Sequence, residues 1–402
     1  MEHKNSTLLG LPRDLAVVTL ALFTWGIGEG MFLYIQPIYL QSFGASPVEI
    51  GAVFSIVGVA MALVQVPAGA ISDRIGAMPI MRAAWSIGLL SALLMALAGS
   101  LTVFVVGMVL YGVTSFVSAP LSSYQAHARE HLSLERAITI PGSLYNLGTF
   151  LGALTGGFIG EQWGLQMIYR VASVLFITST FFIFRARSRR THDSTEPQQV
   201  VKSPGISASP RFLSLLGVVI FSLFALYLPQ PLTPIYLTNQ QDFSVQAIGQ
   251  IGAVASLSNA VILMALGSVL RAQVGLFAGL LLVGTFVLLI WQGSSPWMFY
   301  LGYFFLGGFR IYRSMALVHI RSVVRANQVG LAFGMIETGN GISVILAPLA
   351  AGFLYDRDPQ SVYMVSLAAI GIALVFHLLQ IGRGRKPAPE AVPANLTRAD
   401  IE

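Results

Sequence analysis

Cysteine is absent from the 402 residues, and charged side chains supply only 10% of them. Without thiols there is no disulfide framework, no thiolate metal site and no thiol redox chemistry. Without charge there is no water-facing shell: soluble domains carry about 25% charged residues, whereas this chain is 55% hydrophobic. Two motifs are also missing. There is no Gly-x-x-x-x-Gly-Lys-Ser/Thr loop to hold a nucleotide and no His-Glu-x-x-His pair to hold zinc. The six histidines fall near helix ends, in a polar linker or in the tail, so no nucleophile and base stand together. The chain does not read as an enzyme, and neither a cofactor nor a metal is expected.

What the chain has is apolar runs longer than the roughly 18 to 20 residues that cross a bilayer core of about 30 Å as a helix. Bounded by charges, Gly, Pro and Ser, they give twelve spans, near 15–40, 47–71, 79–98, 101–124, 136–160, 165–184, 212–237, 246–270, 273–292, 296–319, 329–354 and 361–382. The first is long and has Asp14 in its flank, which fits a membrane helix better than a cleavable leader. Only the loop from Arg185 to Arg211 is long and polar, with a flexible linker's composition. The expected fold is an all-α membrane protein of two six-helix bundles, residues 1–184 and 212–384, with a linker at 185–211 and a disordered tail at 385–402.

The net charge of +6 would suggest nucleic acid if it lay on one soluble face, but the basic residues sit in short loops between apolar runs. Arg13, Arg74, Arg82, Arg129, Arg136, Arg271, Arg321 and the linker and tail sets fall on or near one side, and only Arg170 and Arg357 on the other. By the positive-inside rule that side is the cytoplasm. Both termini are therefore expected there, in a plasma or inner membrane, with the lipid bilayer and not nucleic acid as partner and the protein a monomer.

The two halves repeat. "PIYLQSFGASPVEIG" from Pro37 reappears as "PIYLTNQQDFSVQAIG" from Pro234, with Ser46 and Ser244 each placed to cap the next helix. Ser46 and Glu49 have capping-box spacing, which makes Glu49 structural. "GAISD" aligns with "GSVLR", and "GGFIG" near Gly157 with "AGFLY" near Gly352. Paired six-helix halves mark a secondary transporter with its substrate site between them near the bilayer midplane.

The loop "GAISDRIG", Gly69 to Gly76, is similar to the signature of the major facilitator superfamily, Gly-x-x-x-Asp-Arg-x-Gly followed by two basic residues. Ala77 and Met78 stand where those basic residues would be. The resemblance extends over the whole chain and implies that Asp73 and Arg74, between Gly69 and Gly76, form a conformational latch. "GTFLGALTGG" resembles the family's antiporter motif through Gly148, Gly152, Gly156 and Gly157, with Ala153 in place of its Pro. Those glycines also suit close helix packing. Four residues before Gly112, where many proton-coupled exporters carry Arg, stands Met108.

Of the seventeen acidic residues, only Glu29 and Glu337 fall deep inside expected spans. An ionised group at a helix centre costs roughly 2.5–3.5 kcal/mol on insertion scales, so each needs a partner or a function. With the tenth span ending at 319, a rise of about 1.5 Å per residue puts Arg310 roughly 13 Å and Glu337 roughly 12 Å from their cytoplasmic ends. An Arg310–Glu337 pair is expected, with Arg313 reaching to the surface; the alternative is that Arg310 binds an anionic substrate or switches partners during the transport cycle. Glu29 has Gly26, Leu33 and Gln36 on its face at offsets of three, four and seven, and no cation. Burial without a cation favours the neutral acid, and a carboxyl that takes and releases a proton fits proton coupling. Tyr34, Gln36, Tyr145, Asn146, Asn259 and Asn340 are further polar positions at membrane depth and cavity candidates beside Glu29, Arg310 and Glu337. The expected function is alternating-access transport of a small organic molecule, proton-coupled and outward, with uptake or facilitated diffusion as the alternative. A non-transporting sensor is the rival class, although no soluble output domain is present.

Overall fold

The computed structural model describes residues 10–130, 132–187, 210–266, 269–321, 324 and 328–383, which are helical with no strand among them. The expected linker and tail fall almost wholly outside the described residues. Eight long helices run unbroken: α3 (Pro47–Ile75), α4 (Ala77–Ala96), α7 (Leu134–Trp163), α8 (Leu165–Arg185), α11 (Val245–Leu266), α12 (Ala272–Gln292), α15 (Val329–Arg357) and α16 (Ser361–Arg383). The other expected spans are each interrupted. They are α1 (Arg13–Leu33) with α2 (Gln36–Ser42), α5 (Leu101–Val113) with α6 (Ser118–His127), α9 (Pro210–Tyr227) with α10 (Thr233–Gln241), and α13 (Pro296–Phe305) with α14 (Gly308–Arg321).

The breaks fall in the first, fourth, seventh and tenth spans, so they recur every third helix. Each has a local cause. Pro37 opens α2, Pro229 and Pro231 lie between α9 and α10, and Gly307 precedes α14; Pro lacks the N–H and clashes with the preceding turn. A 3-10 turn at Thr114–Val117 separates α5 from α6, a tighter winding common where a helix changes course. Discontinuous helices of this kind line the midplane cavities of transporters, where their freed backbone groups are not exposed to lipid.

Nine helical segments are long and apolar enough to cross a membrane among the described residues. The expected spans outside that set are α7, α9–α10 and α13–α14. α7 is rich in Gly and carries three Thr, and the other two are broken. The Ser46–Glu49 capping box forms as expected: Ser46 N–H donates to Glu49 Oε2 at 2.8 Å and Glu49 N–H to Ser46 Oγ at 3.3 Å. In the second copy Ser244 Oγ accepts from Ala247 N–H at 3.2 Å.

α7 packs along α1 through glycine. A Cβ on Gly148 would sit 2.5 Å from the Phe23 carbonyl oxygen. Further along the same face, Gly152 and Gly156 would collide with the backbones of Ile27 and Met31. One residue on, Gly157 turns to the other half and would meet the Gly249 Cα of α11 at 2.8 Å. The motif of α7 thus lies in two interfaces, three of its glycines within the first half and one between halves.

The halves touch along α3 and α15, α7 and α11, and α2 and α10. The recorded polar contacts lie toward the side away from the termini: Ser55 Oγ donates to the Ile345 carbonyl at 2.5 Å, and Gln246 N–H to Glu161 Oε2 at 3.2 Å. Toward the terminus side, Leu63, Leu134, Met264 and Leu331 are exposed, and a Cβ on Gly142 or Gly334 would meet nothing within 4 Å. Among the described residues the polar contacts between the halves thus lie on the far side.

Candidate functional site

Glu29 sits on α1 between tightly packed glycines, Gly28 and Gly30, that bring α8 and α7 close. Its carboxyl is half-buried and accepts from Tyr145 Oη of α7 at 2.6 Å. Tyr111 of α5 and Trp25, one turn back on α1, also face it, and Trp25 Nε1 donates to Tyr111 Oη at 3.2 Å. A wall of rings holds these donors in place. Trp25 packs edge-on against Phe176 at 4.3 Å, beside Trp85 at 5.2 Å and stacked on Tyr111 at 6.0 Å; such pairs add about 0.5–1.5 kcal/mol each beyond the area buried. No cation pairs with Glu29 among the described residues. Tyr145 donates to the carboxyl, Tyr111 and Trp25 stand beside it, and none of the three carries a fixed charge, so its ionisation state stays open to change.

Two expectations about Glu29 change here. Helix α1 ends at Leu33, so Gln36, buried at the start of α2, is not on a continuous face with it. The donors that do face it come from α5, α7 and the offset of minus four. Trp25 was readable in the sequence at that offset. Tyr111 was not, because only the packing of α5 aims it at α1.

In the second half Glu337 is paired with Arg313 and not with Arg310: Arg313 Nη2 to Glu337 Oε2 is 2.5 Å. The correction follows from where α14 ends. It runs to Arg321, which places Arg313, like Glu337 from the start of α15 at Val329, eight residues or roughly 12 Å from the helix end. Arg310 lies a turn deeper. The pair is part-exposed, at 43% and 41%, so water screens it to about 1 kcal/mol or less.

Arg310 is exposed to a cavity of about 240 Å³ between the halves and has no ion-pair partner among the described residues. Tyr34, Gln230, Asn259 and Tyr303 share its wall. Tyr34 lies in the α1–α2 break. Its ring meets Tyr303 edge-on at 6.3 Å, presses on Gly252 of α11, and its hydroxyl faces Ser256. It therefore bridges the halves at the cavity wall. Arg310 carries its charge within electrostatic reach of both Tyr34 and Tyr145, and Tyr145 is the donor to Glu29.

Of the other expected site residues, Asn146 is half-buried on α7 outside this cavity. Asn340 Oδ1 is buried without a hydrogen-bond partner. Gly76 ends α3 with φ +86°, a conformation that suits glycine, and Arg74 beside it is exposed. The side chains of Gly69 and Asp73 lie outside the described residues, as does Gly267 of the expected repeat. Gln230, Phe286, Leu306 and Phe309 line the cavity without any sequence cue beyond the "PQP" and "LGG" breaks beside them. No cluster of His, Asp or Glu able to hold a metal occurs among the described residues.

A family model described as Major Facilitator Superfamily matches residues 18–276 and 271–400. The chain is 24% identical to the class D tetracycline resistance protein of Salmonella ordonez, over 94% of this chain and 98% of that one. It is 23% identical to the inner membrane transport protein YajR of Escherichia coli strain K12, over 87% of this chain and 82% of that one. In fold it is similar to the nucleoside transporter NupG, with a TM-score of 0.78 and 13% identity over 93% of this chain and 100% of that one.

Proposed function

The chain belongs to the major facilitator superfamily, a family of membrane transporters and not of enzymes, and from that premise we propose that it exports a small organic molecule in exchange for protons. Transport proceeds by alternating access, with the halves rocking about the central cavity. The observation that carries the proton coupling is Glu29, a half-buried carboxyl with hydroxyl donors from two other helices and no cation paired with it among the described residues. Such a group ionises when water reaches it and is neutral when the cavity closes around it. Export is favoured by the likeness to a resistance protein, since a transporter lowers the internal level of a toxic compound only by moving it out. With the termini in the cytoplasm of an inner membrane, the contacts of Ser55 with Ile345 and of Gln246 with Glu161 lie toward the outer side. Asp73 and Arg74 serve as the latch that closes the cytoplasmic side.

The test begins with a screen of the detergent-purified protein for stabilising compounds, and the hits then enter proteoliposomes under pH gradients of both polarities. The proposal expects uphill substrate movement opposite to the proton flow. Flux that ignores the gradient would leave facilitated diffusion instead, and flux running with the protons would make the protein an uptake system.

A further inference from the structure

Among the described residues the cavity has a positive charge with no ion-pair partner. Two arginines line it, Arg310 and Arg313, and Glu337 neutralises only Arg313. While the cavity is open, water solvates Arg310. When the halves close, that water is lost, and a guanidinium left unpaired in a low-dielectric space is strongly destabilised. The rings of Tyr34, Phe286, Tyr303 and Phe309 line the same cavity and give it an aromatic wall. Gln230 Nε2 is already engaged with the Leu226 carbonyl at 2.8 Å, so its side-chain carbonyl is left as an acceptor. The volume of about 240 Å³ lies below the usual range of roughly 300–1,000 Å³ for drug-sized ligands.

Resting on the transporter reading above, we propose that the substrate is a compact organic anion, a carboxylate on a planar apolar body, with Arg310 holding the carboxylate and the aromatic wall holding the body. Guanidinium and carboxylate match as a two-pronged, charge-assisted pair, and the anion supplies the partner that Arg310 lacks when the site closes. A cationic compound would place like charges together in the same space.

Three probes of one shape isolate the charge: 2-naphthoate, 2-naphthylmethanol and 2-naphthylmethylammonium. Binding to the full-length protein in detergent is measured by equilibrium dialysis and by thermal stabilisation. The naphthoate is expected to bind roughly 10- to 100-fold more tightly than the alcohol, from one charge-assisted contact, and the ammonium most weakly. Arg310→Gln removes that preference, and Arg310→Lys keeps part of it because a point charge remains without the fork. Equal or tighter binding of the ammonium probe, no saturable binding of the naphthoate, or an unchanged preference in folded Arg310→Gln overturns the inference. The wild-type ranking needs no variant, so it decides the matter even if Arg310→Gln fails to fold. Flux assays separate the two readings. Naphthoate binding without flux under any gradient supports the anion site and removes the transport reading, whereas gradient-driven flux of the ammonium probe supports transport and removes the anion.

Discussion

The two halves each place one carboxylate at membrane depth, and they treat it in opposite ways. Glu337 is held by Arg313 in an ion pair open to water, whereas Glu29 is held by Tyr145 and faced by Tyr111 and Trp25. An ion pair fixes a carboxylate's charge; neutral donors position it and leave the charge free to change. Individual glycines of the two halves differ in packing as well. In the first half α7 lies on α1 through glycines whose neighbours are backbone, while in the second half Gly341 on α15 faces open space. Beside Glu29 the first half packs α7 closely on α1, and the second half supplies eight of the nine residues that line the cavity.

Packing should yield the largest stability effects. Gly152→Ala puts a methyl on the Ile27 backbone, which cannot yield as a side chain can. A loss of about 1–3 kcal/mol is expected, seen as a lower melting temperature in detergent. Gly341→Ala, with nothing within 4 Å, should be neutral or stabilise by up to about 1 kcal/mol through helix propensity. Equal losses at both positions would erase the contrast between the halves.

Removing the Tyr145 hydroxyl comes next. Tyr145→Phe deletes the 2.6 Å hydrogen bond to Glu29, worth about 1.5–3 kcal/mol for a charged acceptor, and should slow gradient-driven transport by roughly ten-fold or more while the protein stays folded. The smallest effect belongs to the ion pair. A double-mutant cycle of Arg313→Gln and Glu337→Gln should return a coupling of about 1 kcal/mol or less, with proton-driven transport kept. If Glu337→Gln alone abolished the pH dependence, the roles assigned to the two carboxylates would be reversed.

Much of the architecture could be read directly from the sequence, because a span needs only length and apolarity. The spans that hydropathy alone does not pick out are the polar or broken ones. α7 carries Tyr145, and α13–α14 carries Arg310 and Arg313, so the residues that serve the cavity are the ones that lower the signal. The breaks had visible causes in Pro37, Pro229, Pro231 and Gly307. The Arg310–Glu337 expectation failed over two residues: ending the helix at 319 and not at Arg321 shifted the arginine register by most of a turn. Tyr111 had no local signature, since its role depends on how α5 is set against α1. The pairing of Arg313 and the donors around Glu29 are both tertiary facts, and periodicity along one helix does not contain them.

The central claim is that Glu29 carries the proton. The most direct measurement is transport by Glu29→Gln in proteoliposomes, with and without an imposed pH gradient, beside counterflow of labelled substrate at equal pH. Glutamine keeps the size and accepts the Tyr145 hydrogen bond, but does not titrate. The account predicts that counterflow survives while uphill, pH-driven movement is lost. Uphill transport by Glu29→Gln that still follows the pH gradient would contradict it.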